Sequence, residues 1–326
     1  MIIRQVPLRQ DIDLPQLFDE WDEWALAAAR VSDDCIAVLA KQRFHNIPER
    51  TIYLYHGFGA DGLLNREHIL PPYDVIDGGD FANALTVTDS HLAVTSPVSG
   101  CVHIMSLDDR QWREVPVPAV LKREWHRPSP LVSLFSIDNV VYAVSFYYRH
   151  MWSIDPLTGE TNMCPRPPKV RMDSGAVFAS ECVCRGQSHF IYGDTHVTYS
   201  PVAGWRTEQL VSPMPQRYRC RPWSLPMGEY QDYPVLFSPA TRALDMVDEV
   251  SGDTKLTRLR EVPWDLRYIA PAACVLDCRT LVCITDPTHV ELCEFSGPVF
   301  SLLFAQETVQ VTSVTPLGDG DSESVE

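Results

Sequence analysis

Three landmarks recur along this chain at nearly the same interval, and that interval constrains the fold more than any other feature. The first is a pair of apolar runs joined by a short polar turn, as in Val31–Val38, Val87–Val94, Ile137–Val144 and Val275–Val282. The second is a later turn rich in aspartate and glycine, and the third is a cluster of prolines. The proline clusters follow one another at about 46 to 48 residues. A fixed period in this range is typical of propellers and solenoids.

One repeat shows why the landmarks share an interval. Its length suits four short antiparallel strands, predicted in the second repeat at Ala84–Thr88, His91–Thr95, Cys101–Leu107 and Gln111–Val115. Asp89 and Ser90 form the tight turn between the first two strands. Proline has no amide proton to donate, so Pro116 and Pro118 suit the outermost strand and block further strand addition.

The repeats predict an all-β chain that forms a single β-propeller of six four-stranded blades over residues 25–315. Residues 1–24 are predicted as an N-terminal strand and a helical cap, with a short helix over Asp13–Ala25. Residues 316–326 are small and acidic, and we expect a disordered tail there. Because an open ring leaves two unprotected sheet edges, either Met1–Val6 or Glu307–Val314 should complete the terminal blade.

Composition limits the possible partners and the compartment. The formal net charge of −16 argues against nucleic acid and anionic membranes, which both require a basic surface. The first residues do not resemble a signal peptide, and no apolar run is long enough to span a bilayer. The ten cysteines sit singly in apolar strands, as Cys35 and Cys101 do. That placement favours reduced, buried thiols in a cytoplasmic protein.

The cysteine spacing also raises the question of zinc. The candidate ligands are Cys182, Cys184, Cys274, Cys278, Cys283 and Cys293. Closed zinc sites usually use paired cysteines on turns. Here Cys182 and Cys184 would share one face of a strand, and Cys283 and Cys293 lie in apolar runs, so we expect core thiols, no metal and no cofactor. Ser153-Ile-Asp155 and Ser106-Leu-Asp108 are similar to the Asp-box of sialidase propellers but lack its full glycine and aromatic pattern. We expect turn-forming aspartates at both places.

The second and third repeats resemble the Kelch family. A Kelch blade carries an Asp-Pro-x-Thr-x-x-Trp-like stretch followed by a proline-bearing link. Asp155–Glu160 matches this stretch, and Asp108–Trp112 and Gly204-Trp205 match it more loosely. The di-glycine that follows the second strand in that family is absent, since Phe146-Tyr147 stands at its place in the third repeat. The resemblance implies a Kelch-like propeller, a class whose members mostly serve as scaffolds or substrate receptors and in a minority as oxidases.

Three predicted loops combine aromatic rings with arginine, and they are the candidate binding elements. Tryptophan, tyrosine and arginine are over-represented at binding hot spots. The predicted binding residues are Trp125, Tyr147, Tyr148, Arg149, Arg219 and Trp223. The alternative is that these rings pack between blades and stabilise the fold.

The sequence therefore predicts a non-catalytic protein-interaction platform that binds protein partners through one rim of the propeller. The alternative is a propeller enzyme that acts on a glycan or small molecule through the axial pocket. A third possibility is the substrate-recognition module of a larger ligase. An enzyme requires convergent charged residues at the axis, whereas a binding module requires an exposed aromatic and arginine patch on one rim.

Overall fold

The structure is a computed structural model that describes residues 2–6, 24–44, 47–58, 65–71, 85–95, 101–117, 132–145, 149–169, 180–184, 186–192, 195–209, 225–230, 233–238, 243–250, 253–261, 272–277, 280–286 and 289–294. Within them the regular elements are all strands, which confirms the all-β prediction.

The strands form six four-stranded antiparallel sheets within this described part. Sheet 1 contains β2 (Trp24–Ser32), β3 (Cys35–Phe44), β4 (Ile47–His56) and β5 (Asn65–Ile69). Sheet 2 contains β6 (Leu85–Val87), β7 (His91–Thr95), β8 (Cys101–Ser106) and β9 (Trp112–Pro116). Sheet 3 contains β10 (Val132–Ile137), β11 (Val140–Ser145), β12 (His150–Ile154) and β13 (Thr161–Met163).

The remaining sheets follow the same plan with one exception. Sheet 4 contains β14 (Ser180–Cys184), β15 (Gln187–Tyr192), β16 (Thr195–Ser200) and β17 (Gly204–Gln209). Sheet 5 contains β18 (Leu225–Tyr230), β19 (Tyr233–Ser238), β20 (Ala243–Val250) and β21 (Asp253–Glu261). Sheet 6 contains β22 (Ala272–Asp277), β23 (Thr280–Asp286) and β24 (His289–Glu294), and β1 (Ile2–Val6) is its fourth strand.

The N-terminal strand completes the last sheet. Ile2 pairs with Glu294 and Val6 with Val290 in antiparallel register, so β1 covers the outer edge of β24. Of the two closing strands that the sequence suggested, the N-terminal one takes this position. Glu307–Val314 lies outside the described residues. Closure in this way joins the N-terminal strand to the last described sheet and protects an edge of that sheet that would otherwise be unpaired.

The first strands of the sheets contact one another in a closed cycle, β2 to β6 to β10 to β14 to β18 to β22 and back to β2. Antiparallel sheets that place their first strands around a common centre form a β-propeller. The propeller fold predicted from the repeats is therefore confirmed. The prediction of six blades for the whole chain stays a prediction, because the count above covers the described residues alone.

The hydrophobic core lies between neighbouring sheets. Between sheets 1 and 2 it contains Leu39, Leu54, Leu92, Val94 and Met105, and between sheets 3 and 4 it contains Phe135, Tyr142, Phe190 and Tyr199. Full burial of one such side chain contributes about 1.5–3 kcal/mol to stability. The sheets that share these cores are therefore held by their neighbours, which gives their turns a packed base.

The strand order creates two distinct faces of the ring. The turns from first to second strand and from third to fourth strand lie on one face, which we call the hairpin face. The turns from second to third strand, and the links from one sheet to the next, lie on the opposite face, which we call the link face. This assignment follows from the antiparallel meander alone, because each strand reverses the direction of the chain.

The N-terminal prediction requires one correction. The predicted helix over Asp13–Ala25 falls outside the described residues except at its last two positions. Trp24 and Ala25 are not helical, because they begin β2 and pair with Lys41 and Ala40 of β3. Cross-strand pairing outweighs the helical periodicity at these two positions.

Candidate functional site

Arg149 is the predicted binding residue that the structure describes, and it lies on the link face in the turn between β11 and β12. Its side chain is exposed and its backbone has a φ of 60°. Its Nε donates a hydrogen bond of 2.9 Å to the carbonyl oxygen of Pro167, in the link that follows β13. This bond holds the guanidinium against the link, although the residue as a whole is exposed.

The other five predicted binding residues lie outside the described part of the chain. They are Trp125, Tyr147, Tyr148, Arg219 and Trp223. The strands that flank them are described, however, and they fix where the segments attach. Residues 118–131 connect β9 to β10, residues 146–148 connect β11 to β12, and residues 210–224 connect β17 to β18. All three segments are therefore attached to the protein at the link face, where Arg149 also lies.

Two further cations and an apolar side chain lie near Arg149. Arg166 and Lys169 are exposed in the same link as Pro167, and Met163, at the end of β13, is 79% exposed. Burial lowers the pKa of His150, and the positive charge of Arg166 lowers it further. In the described part of the chain, no ion pair involves Arg149, Arg166 or Lys169. The link face of sheet 3 is therefore a positively charged surface with an exposed methionine.

A polar cavity of about 420 Å³ lies on the hairpin face. The ends and turns of the first strands of sheets 1, 2 and 3 line it, with Arg30, Val31, Val87, Thr88, Asp89, Ser136, Asp138 and Asn139. Cavities of this size can accept a small molecule. The sequence identified these aspartates and Asn139 only as turn residues. The signal that could have revealed the cavity is the polar turn that recurs after each first strand.

The polar groups of this cavity are largely engaged with one another. Asn139 Nδ2 donates to Asp89 Oδ2 over 2.6 Å, and Asp89 N donates to Asn139 Oδ1 over 2.9 Å. Ser136 Oγ donates to the carbonyl oxygen of Val87 over 2.7 Å, and Arg30 pairs with Asp33. Because these polar groups already bond to one another, the cavity suits binding of a polar molecule better than proton transfer.

One described cluster contains the residue types of a nucleophilic site. Cys35 Sγ lies 3.9 Å from His56 Nε2, and the same Nε2 lies 3.7 Å from Glu67 Oε2. A catalytic histidine uses one ring nitrogen for the nucleophile and the other for the carboxylate. Burial raises the pKa of Cys35 to about 12, so its thiol stays protonated at neutral pH. The geometry and the thiol pKa both favour a structural role.

The cysteines that the structure describes as free thiols are Cys35, Cys101, Cys164 and Cys274. Cys182 and Cys184 lie in β14, Cys283 in β23 and Cys293 in β24, whereas Cys278 is outside the described residues. Among the residues described, no three histidine, cysteine, aspartate or glutamate side chains are grouped to hold a metal ion. The same residues contain no helix with the length and apolar character needed to cross a membrane. The expectation that the protein holds no metal stays a prediction.

No family model matches the chain, and no curated protein matches it. The resemblance to the Kelch family therefore stays a hypothesis. Solved structures of β-propeller proteins do resemble the chain. PorZ, a surface component of the type-IX secretion system of Porphyromonas gingivalis, is 12% identical with a TM-score of 0.45. The match covers 81% of this chain and 32% of PorZ, so the chain spans about a third of that protein.

Two other solved structures match over most of their length. YCF48, bound to a D1 peptide, is 8% identical, with 90% of this chain and 88% of YCF48 covered and a TM-score of 0.45. Regucalcin of Agrobacterium tumefaciens, a calcium-binding protein, is 11% identical, with 83% and 90% covered and a TM-score of 0.48. At these identities and TM-scores, what these proteins bind does not transfer to this chain. The fold assignment depends on the strand order and the closed cycle of first strands.

Proposed function

We propose that the protein is a non-catalytic protein-interaction platform whose link face binds a protein partner. The observation that carries the proposal is topological. The segments that contain Trp125, Tyr147, Tyr148, Arg149, Arg219 and Trp223 all begin and end on this face. The ends of the flanking strands therefore support a common side of the ring for the three aromatic and arginine motifs.

The described member of this set has the properties of a binding residue. Arg149 is exposed, yet its Nε is fixed by the carbonyl of Pro167. A side chain that is already ordered loses less conformational entropy when it binds a partner. The rigid sheets beneath the turns add to this advantage, since loops on a fixed scaffold commonly carry binding residues. We also propose that the platform is Kelch-like and cytoplasmic, in line with its repeat pattern and its reduced thiols.

The proposal is tested by measuring affinity and stability separately. A partner is first identified by affinity purification and mass spectrometry and then purified. Alanine substitution of Tyr148, Trp223 or Arg149 should weaken its binding about thirty-fold, equivalent to about 2 kcal/mol, and leave Tm nearly unchanged. Arg206→Ala is the matched control, because Arg206 is exposed on β17 and outside the predicted set. A lowered Tm with unaltered binding by the folded fraction would show that the residues pack between blades.

A second candidate function is supported by the cavity on the hairpin face. Its volume of about 420 Å³ and its polar lining suit a small polar molecule such as a sugar. A thermal-shift screen of monosaccharides and other small polar metabolites tests this candidate. A genuine ligand should raise Tm in the wild type and fail to do so in Asp138→Ala. A ligand that stabilises both proteins equally binds elsewhere.

A further inference from the structure

Positive charge is concentrated in four of the segments that attach to the link face of this acidic protein. Four segments, 118–131, 146–149, 164–179 and 210–224, attach to the link face along sheets 2 to 5. They contain ten of the 27 lysines and arginines of the chain: Lys122, Arg123, Arg127, Arg149, Arg166, Lys169, Arg171, Arg217, Arg219 and Arg221. Only Glu124 and Asp173 oppose them in these segments. The formal net charge of the whole chain is −16, so this concentration runs against the average composition.

The described part of these segments is fixed in place by three hydrogen bonds. Cys164 N donates to the carbonyl of Met151 over 2.9 Å, which joins the start of the link to β12. Trp205 Nε1 donates to the carbonyl of Pro165 over 2.9 Å, and Arg149 Nε donates to the carbonyl of Pro167 over 2.9 Å. The exposed cations Arg166 and Lys169 therefore project from a link that two neighbouring sheets hold.

An exposed apolar residue lies within this charged surface. Met163 ends β13 immediately before the link and is 79% exposed, and Pro165 beside it is also exposed. Methionine is a flexible, polarisable side chain that adapts to apolar groups of a partner. A segment that complements this surface would combine carboxylates with an apolar side chain.

The geometry points to an acidic protein segment as the occupant of the link face of sheet 3, contacted by Arg149, Met163, Arg166 and Lys169. This inference rests on the proposed function and specifies the chemistry of its partner. Guanidinium groups bind carboxylates through paired N–H donors, and no described acidic side chain forms an ion pair with these cations. An acidic segment would supply carboxylates to these cations and cover the methionine.

The acidic balance of the chain favours a short peptide over a long polyanion. A short segment can remain within the basic surface. A nucleic acid or an anionic membrane extends beyond it and meets the acidic remainder of the protein within a Debye length of about 8 Å at physiological salt. Like charges repel at that range, which lowers the affinity for an extended polyanion.

Fluorescence anisotropy with defined probes tests the inference on the full chain. The probes are a labelled 12-residue peptide of glutamate and leucine, its glutamine and lysine analogues, and a 12-nucleotide single strand. The acidic peptide should bind saturably and at least ten-fold more tightly than every other probe. Arg166→Glu, Arg149→Glu and Lys169→Glu should each weaken it five-fold or more, whereas the matched control Arg206→Glu should change it less than two-fold.

The possible failures are distinguishable. If the purified partner needs the link-face aromatic residues but the acidic peptide neither binds nor competes, the acidic class is wrong and the proposed function stands. If the partner is indifferent to every link-face substitution, the proposed function itself fails. Equal binding of the oligonucleotide and the peptide would overturn the choice of a peptide. Equal losses for Arg166→Glu and Arg206→Glu would overturn the location.

Discussion

Arg110 joins two neighbouring sheets by binding both carboxylate oxygens of Glu67. Its Nε lies 2.9 Å from Oε1, and its Nη2 lies 3.0 Å from Oε2. Glu67 belongs to β5 of sheet 1, and Arg110 belongs to the turn after β8 of sheet 2. The hydrogen bond from Arg110 is the main cause that lowers the pKa of the Glu67 carboxyl. The outer strand of sheet 1 is thus tied to sheet 2 by charge as well as by apolar packing.

Glu67→Gln should reduce the free energy of unfolding by about 0.5–1 kcal/mol at low salt. The substitution removes the negative charge that pairs with Arg110, and the effect is modest because water reaches the ion pair. The two side chains are 39% and 36% exposed, so 0.5 M salt should shrink the effect. Urea denaturation at both salt concentrations measures it. Asp33→Asn, which removes an exposed pair within one turn, is the control and should change stability less.

The ion pair between Arg110 and Glu67 also predicts that stability decreases at acidic pH. A carboxyl with a lowered folded pKa stabilises the protein above its unfolded pKa, near 4.5, and loses this contribution as the pH falls through the folded value. The difference in stability between wild type and Glu67→Gln should therefore be complete at pH 6 and shrink below pH 4.5. A difference that stays constant down to pH 3 would contradict this assignment.

Asn139→Ala should destabilise the protein by about 1–2 kcal/mol, for two separable reasons. Asp138 and Asn139 have φ values of 51° and 62°, which an alanine adopts only with strain. The Asn139 side chain also exchanges two hydrogen bonds with Asp89 of the neighbouring sheet. Asn139→Gly removes the hydrogen bonds without the strain, so it should cost about 1 kcal/mol less than alanine. Equal losses for the two variants would show that backbone strain is not involved.

The sequence predicted the sheets well because their signals are periodic. In the second repeat, the predicted second strand is β7 in both its bounds, and the other three differ from β6, β8 and β9 by one or two residues at their ends. The turn residues and the apolar alternation both act over a few positions, so a single sequence is enough to read them. One detail differs from the prediction, which ended the fourth strand at Val115. In the structure Pro116 still belongs to β9 and lies opposite Cys101. Proline is accepted there because β9 is the outermost strand.

The contacts between repeats, including those that line the cavity, were less predictable because they depend on which segments of the ring are neighbours. Nothing in the sequence places Arg110 beside Glu67, or Asn139 beside Asp89, since each pair is separated by a whole repeat. The closing strand was also undecided, because Met1–Val6 and Glu307–Val314 both have strand composition. Only the register with β24 selects the first of them. The aromatic and arginine motifs were visible in the sequence, but the face at which their flanking strands end required the strand order.

Buried thiols should react slowly in the native protein. Burial raises the pKa of Cys35 and of Cys274 to about 12, so their reactive thiolate forms are scarce at pH 7. Cys164 is only half-buried. After a short exposure to iodoacetamide, peptide mass spectrometry should find Cys164 labelled well ahead of the other two, and all three labelled in urea. Native labelling of Cys35 at the rate of Cys164 would contradict the burial argument.

His196 should make the stability of the protein depend on pH between about 6.5 and 4. Its side chain is 1% exposed, its Nε2 lies 3.1 Å from His189 Nδ1, and burial lowers its pKa to about 4. Below pH 6.5 this histidine binds a proton in the unfolded chain but stays neutral in the folded protein. The stability that depends on His196 is therefore complete above pH 6.5 and falls as the pH drops towards 4. A shift of this size corresponds to about 3 kcal/mol over that window.

His196→Phe should flatten the dependence by roughly that amount in urea titrations at pH 7, 6, 5 and 4. His189→Phe is the control, because it retains the buried His196, and it should keep the slope. Identical slopes in wild type and His196→Phe would show that His196 does not titrate in this range.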